Sequence, residues 1–110
     1  MDNAINELFM AIGDDFFNFS MRGEYHNPDK VEEFRDSLMV VEGRKYLKIV
    51  KKLGSQEMVW GFIVKEDDNK FKEGDILKAA SWAAPARNKA RGNILDGGYS
   101  IRWTGPEYLA

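Results

Sequence analysis

Apolar residues recur at three- and four-residue steps near the N-terminus, at Ile5, Leu8, Phe9, Ile12, Phe16 and Phe19. That spacing lines one face of a 3.6-residue period and predicts an amphipathic helix, with Asp2 placed to cap it. Gly13 lies inside this helix at a cost of about 1 kcal/mol relative to Ala, so a kink or close packing is expected there. Phe17 falls off the stripe and makes the segment unusually aromatic, suited to covering a sheet or meeting a partner. Met21 to His26 reads as a connection. Asn27-Pro28-Asp29 then offers a capping side chain, a proline for the first helical position and an acid for the first turn, so a second helix is predicted from Pro28. Its stripe is Val31, Phe34, Leu38 and Val41. Gly43 suits the position past its end, and Glu32, Glu33 and Asp36 face water.

From Arg44 the period shortens to two. Leu47 and Ile49 alternate with Lys48 and Lys51 across 44–52, which predicts a strand with one basic face. Leu53-Gly54-Ser55-Gln56 supplies a turn, and Met58 to Val64 is a nearly continuous apolar strand expected at the sheet centre. Gly61 within it marks a bulge or a close approach by another backbone. Lys65 to Lys70 is a charged turn, Ile76 to Ala80 a third strand, and Tyr99 to Trp103 a last one ended by Thr104-Gly105-Pro106. Asp67-Asp68-Asn69 lacks the alternating acids, glycine and distal glutamate of a calcium loop and reads as a solvated hairpin tip. The expected architecture is α+β: one domain over 1–110, with two N-terminal helices (1–43) packed on a mostly antiparallel sheet of about four strands (44–110). An irregular loop spans 82–98.

At 110 residues, with 44% apolar and 31% charged, the chain can bury one core and is not compositionally disordered. It contains no cysteine, which excludes disulfides, thiolate metal sites and a cysteine nucleophile. No basic segment leads into an apolar run at the N-terminus, and no window approaches the roughly 18 apolar residues of a membrane span, so a cytoplasmic protein without membrane contact is expected. The net charge is -2, unevenly spread: residues 1–42 hold ten Asp and Glu against three Lys and Arg, residues 43–110 eight against thirteen. An acidic helical layer on a basic sheet accounts for this, as does an anion site in the basic half.

Catalytic patterns are missing: no phosphate loop ending in Lys-Ser/Thr, no Gly-x-Ser-x-Gly, no His-Glu-x-x-His and no histidine pair, since His26 is the sole histidine. Gly92, Gly97 and Gly98 do not follow a strand or open a helix as a dinucleotide fingerprint requires. A non-enzymatic protein needing no metal and no cofactor is therefore expected. Binding chemistry is concentrated between Ser81 and Pro106. Arg87, Lys89, Arg91 and Arg102 suit phosphates, Asn88 and Asn93 suit a base or ribose, and Trp82, Tyr99 and Trp103 suit stacking on a planar ring. Arg87, Lys89 and Arg91 share a face if the segment is extended, whereas a helical turn joins Arg87 to Arg91 and separates Lys89. The same residues read equally well as core tryptophans, turn glycines and surface charges.

Phe71-Lys72-Glu73-Gly74-Asp75-Ile76-Leu77-Lys78-Ala79-Ala80, the run from Trp82 to Ile94, and Ile101-Arg102-Trp103-Thr104-Gly105-Pro106 resemble the C-terminal part of small uncharacterised proteins of tailed bacteriophages. With Glu42-Gly43-Arg44-Lys45-Tyr46 and Val59-Trp60-Gly61-Phe62, the resemblance covers about the last two thirds of the chain. It implies a phage origin, an infected bacterial cytoplasm, and an accessory role such as blocking a host enzyme or sequestering a defence signal. The leading expectation is a phage accessory protein that holds a small anionic, nucleotide-like ligand, its pocket open to completion by a second subunit of a homo-oligomer. The alternatives are a module that inhibits a host protein through its acidic or aromatic helices, and a nucleic-acid binder using Lys45, Lys48, Lys51, Lys52 and the basic loop.

Overall fold

A computed structural model describes residues 2–22, 34, 36–53, 55–87, 89–99, 101–102 and 105–106, with the backbone alone for 2, 18–22, 53, 98 and 102. These residues form an α+β domain. Helix α1 (Asp2–Arg22) is followed by β1 (Leu38–Glu42), β2 (Tyr46–Leu53), β3 (Gln56–Val64) and β4 (Ile76–Leu77). The four strands make one antiparallel sheet in the order β1-β2-β3-β4. Two short hairpins come after it: β5 (Gly92–Asn93) with β6 (Gly98–Tyr99), and β7 (Ile101–Arg102) with β8 (Gly105–Pro106).

The first helix forms as its spacing predicts. Ile5, Leu8 and Ile12 are buried, while Phe9 and Phe16 pack partly buried against the same core. Each fully buried Leu or Ile contributes about 1.5–3 kcal/mol through area removed from water, which is why this stripe fixes the helix on the sheet. The helix runs unbroken through Gly13, which is buried, so close packing rather than a kink explains that residue. Phe16 stacks on Phe34 with ring centroids 4.4 Å apart.

The second helix requires correction. Its start at Pro28 and the residues Val31, Glu32 and Glu33 lie outside the described residues, as does His26. Phe34 and Asp36 are helical, but Leu38 and Val41, expected on the helical stripe, belong to β1. The physical reason is the run Leu38-Met39-Val40-Val41, apolar throughout and β-branched at Val40 and Val41, with the two-residue turn Arg44-Lys45 after it. The Gly43 N–H donates to the Tyr46 carbonyl at 2.9 Å, closing a hairpin where a helix end was expected. α1 is thus the one helix whose range is described, and the helical residues stop before Leu38.

Strand β2 has no single basic face. Leu47, Ile49 and Lys51 point toward α1, and Lys51 is only 4% exposed, its ammonium 5.9 Å from the Phe34 ring. Burial lowers the Lys51 pKa. Lys48 points the other way. On β3, expected at the centre and found there between β2 and β4, the pairing shifts: Ile49 opposes Gly61 and Val50 opposes Val59. Trp60 is therefore the extra residue of a β-bulge, and it joins Ile63 on the α1 side where strict alternation would part them. Gly61 also meets the expected close approach, because a Cβ there would lie 3.0 Å from both the Leu77 carbonyl oxygen and Pro106 Cγ.

The sheet consequently carries a core on each face. Trp60, Ile63, Ile76 and Ile94 join α1 on one side, and Phe62, Val64, Phe71 and Leu77 form the other. Of the third predicted strand, 76–80, only Ile76 and Leu77 are regular, with an isolated bridge from Ala79 to Pro85. Gly105 and Pro106, expected to end the last strand, instead form β8 and pair with β7.

Candidate functional site

The irregular loop is held along β4 by backbone bonds. Ala86 N–H donates to the Lys78 carbonyl at 2.7 Å and Arg91 N–H to the Ile76 carbonyl at 2.8 Å, and the described part of 86–91 is irregular, not a helical turn. Asp68 sits at the centre of the polar hooks that hold it. Its carboxylate accepts the N–H groups of Phe71 at 2.7 Å and Lys70 at 2.8 Å and pairs with the Arg87 guanidinium at 3.0 Å. Those bonds, the backbone ones foremost, hold the Asp68 pKa down at about 2. Asp67 likewise accepts the Glu73 N–H at 2.7 Å, so both acids of the turn organise backbone. Arg87 also donates to the Tyr46 hydroxyl and lies 4.9 Å from the Phe71 ring; its pKa is raised by the bond to Asp68 and then by that to Tyr46.

Tyr46 connects this loop to an open groove on the sheet face opposite α1. Register places Val41, Lys48, Phe62 and Leu77 in one row across the four strands. The groove, of ≈ 390 Å³, is lined by Val41, Gly43, Arg44, Lys45, Tyr46, Lys48, Phe62 and Ala83. Three of these are cations and none is an acid. Tyr46 and Phe62 meet edge to face at 5.9 Å and make its aromatic floor. At its margin the Lys48 ammonium lies 4.4 Å from the centre of the Trp82 ring, and Trp82 is 50% exposed. A planar anion can stack on that indole while its charge meets Lys48, Lys45 and Arg44. A smaller hollow of ≈ 100 Å³ adjoins, sharing Arg44, Lys45 and Tyr46 but walled by Glu66, Asp67 and Asp68.

The residues singled out in the sequence divide between the two faces. Trp82 borders the groove and Arg87 reaches it through Tyr46. Tyr99 packs against the α1-side core, and burial, followed by the charge of Glu7, raises its pKa. Asn93 builds a turn: its amide donates to the Glu73 carbonyl at 2.8 Å and to Asp75 at 2.9 Å, while its oxygen accepts the Leu95 N–H at 2.7 Å. Arg91 is buried and donates to the Lys89 carbonyl at 2.7 Å, while Lys89 itself is exposed. Asn88 and Trp103 lie outside the described residues, and of Arg102 only the backbone in β7 is described.

Arg44, Lys45, Lys48 and Tyr46 were not assigned to a small-ligand site by the sequence, although two of them entered the nucleic-acid reading. A usable signal existed in the two-residue turn, which places Tyr46 and Lys48 on one face, two residues apart, beside a doubly basic tip. A family model matches residues 1–102. The chain belongs to a family of unknown function, DUF7717. The DUF7717 match takes in α1, the whole four-stranded sheet and every residue that lines the basic groove. No curated protein and no solved structure matches the chain. No helix among the described residues is long and apolar enough to cross a membrane.

Proposed function

We propose that this DUF7717 protein is a phage accessory protein that holds a small anionic, nucleotide-like ligand in the basic groove and sequesters it without chemical change. The observation that carries this reading is the Lys48–Trp82 pair at the margin of a groove whose other charges, Arg44 and Lys45, are also positive. A ring stacks on Trp82, phosphate charge meets the three cations, and the Tyr46 hydroxyl, oriented by Arg87, offers a polar contact. The phage setting and the host cytoplasm rest on the sequence resemblance.

A thermal-shift panel of nucleoside mono-, di- and triphosphates, linear and cyclic dinucleotides and inorganic pyrophosphate tests the reading. A true ligand at 100 times its Kd adds about 2.7 kcal/mol of stability, read as a rise in Tm. Trp82→Ala and Lys48→Met should each abolish the rise. No response across the panel overturns the assignment, and oligonucleotide binding that falls steeply with salt transfers the groove to nucleic acid. A second reading has support on α1, where Glu7, Met10, Asp14 and Phe17 form one exposed face. An acidic face with two bare apolar side chains suits a basic host protein. A Met10→Lys, Phe17→Lys variant that loses phage-assisting activity while keeping its nucleotide response would favour that module.

A further inference from the structure

The basic groove has two unlike ends. At one, Trp82 rides the tip of a loop closed on itself. The Ala80 and Ser81 N–H groups donate to the Ala84 carbonyl at 3.0 and 3.1 Å, and the Ala83 and Ala84 N–H groups donate to the Ser81 hydroxyl oxygen at 3.3 and 3.2 Å. The indole is left 50% exposed beside the Lys48 ammonium. At the other end Arg44 and Lys45 form a hairpin tip whose carbonyls are engaged too: the Lys65 ammonium donates to that of Gly43 at 3.0 Å, and the Lys65 N–H to that of Lys45 at 3.1 Å. Tyr46 stands between, two strand residues or about 7 Å from Lys48. Beyond the tip, Glu66, Asp67 and Asp68 wall the adjoining hollow, so a chain of negative charge gains nothing by running further.

Hydrogen bonding along this line is one-sided. Arg44, Lys45 and Lys48 are donors only. The Tyr46 hydroxyl already accepts from Arg87 and the Ser81 oxygen from two amides, and no carboxylate or side-chain amide is among the described residues that line the groove. The exocyclic amines that distinguish adenine, guanine and cytosine therefore meet no unengaged side-chain acceptor there. Stacking is what the indole offers, and every base has a face to stack. Phe62 is 2% exposed and Tyr46 packs edge to face against it, so these two rings are floor and not a second platform. The next step deepens the nucleotide reading and rests on it. We propose that the ligand is a nucleoside polyphosphate with one base, held without regard to which base it is, with the base on Trp82 and the phosphate chain running past Tyr46 to Arg44 and Lys45.

Isothermal titration of the full chain in metal-free buffer tests this with AMP, ADP and ATP, with GTP, CTP and UTP, with inorganic tripolyphosphate and with a cyclic dinucleotide. Affinity should climb severalfold with each phosphate from AMP to ATP, and the four triphosphates should agree within about fivefold, below the discrimination that a bidentate base contact gives. Tripolyphosphate and the cyclic dinucleotide should bind more weakly than ATP. Arg44→Met with Lys45→Met should bring ATP down to the affinity of AMP and leave AMP unchanged. Trp82→Ala should weaken all the nucleotides alike and leave tripolyphosphate unchanged. If no nucleotide binds at all, the nucleotide reading falls and this inference with it. If nucleotides bind but the cyclic dinucleotide is tighter than ATP, or one base is preferred by more than about tenfold, or AMP matches ATP, the reading stands and the inference is overturned. A double variant that weakens AMP and ATP equally likewise overturns it, by removing the separate phosphate end.

Discussion

Along β4 the chain lays down its own loop, bridging Asp75 to Asn93 and Ala79 to Pro85, whereas β1, at the far side of the sheet, ends in exposed Met39, Val40 and Val41. The closed edge has only two regular strand residues, Ile76 and Leu77, yet both are fully buried. What it lacks in ladder it gains from side-chain hooks: Asp68 on Arg87 and on two backbone amides, and Asn93 on the Glu73–Asp75 turn. The open edge has a longer strand, hooked at its end by Lys65, which bonds the Glu42 carboxylate at 3.1 Å and the Gly43 carbonyl at 3.0 Å. One half of the basic and aromatic equipment therefore builds the fold. The part left for recognition, Arg44, Lys45, Lys48 and Trp82, gathers toward the β1 side.

Matched truncations should break this comparison most severely. Ile76→Ala deletes fully buried atoms between the sheet and the α1-side core and should cost about 2–5 kcal/mol in urea denaturation. Val40→Ala in dilute protein should cost about 0.5 kcal/mol or less, as exposed positions do. Equal losses at the two edges would mean that β1 is covered as fully as β4. Next in size is Asn93→Ala, which strips a partly buried turn of its acceptor and two donations and should cost about 1–3 kcal/mol. The same substitution should leave any nucleotide-induced rise in Tm unchanged, since Asn93 is bonded within its own turn and does not line the groove.

The first helix was legible because Ile5, Leu8 and Ile12 repeat at one period with no competing pattern. Residues 38–41 were not, since Leu38 and Val41 satisfy a helical stripe when read with Phe34, and the whole run satisfies a strand when read with the Arg44-Lys45 turn. Local spacing cannot arbitrate there; pairing with β2, a contact remote in sequence, does. The bulge at Trp60 was half visible through Gly61, but its effect on which face Trp60 occupies depends on the partner strand. The candidate site was legible by composition and not by place. Arg87, Asn93 and Tyr99 have the chemistry of a ligand site, and tertiary partners, namely Asp68, Asp75 and the α1-side core, engage that chemistry in the fold. Nothing in the local sequence around Arg87 announces Asp68, nineteen residues earlier, as its partner.

The smallest expected effect tests the hook itself. Hydrogen bonds from Phe71 and Lys70 and the pair with Arg87 lower the Asp68 pKa from its ordinary value to about 2. Because the folded value is the lower one, the carboxylate adds stability that is fully present above the ordinary carboxylate range and is lost as pH falls through about 2. Asp68→Asn keeps an acceptor for the two amides but removes the charge that Arg87 meets. The variant should melt below the wild type at neutral pH, with the gap closing as the pH is lowered from about 4 toward 2. The gap should also shrink in high salt, since the pair is partly exposed and screened. A gap independent of pH would mean that Asp68 holds the loop through its shape and amide contacts alone, leaving the closed edge without an ionic hook.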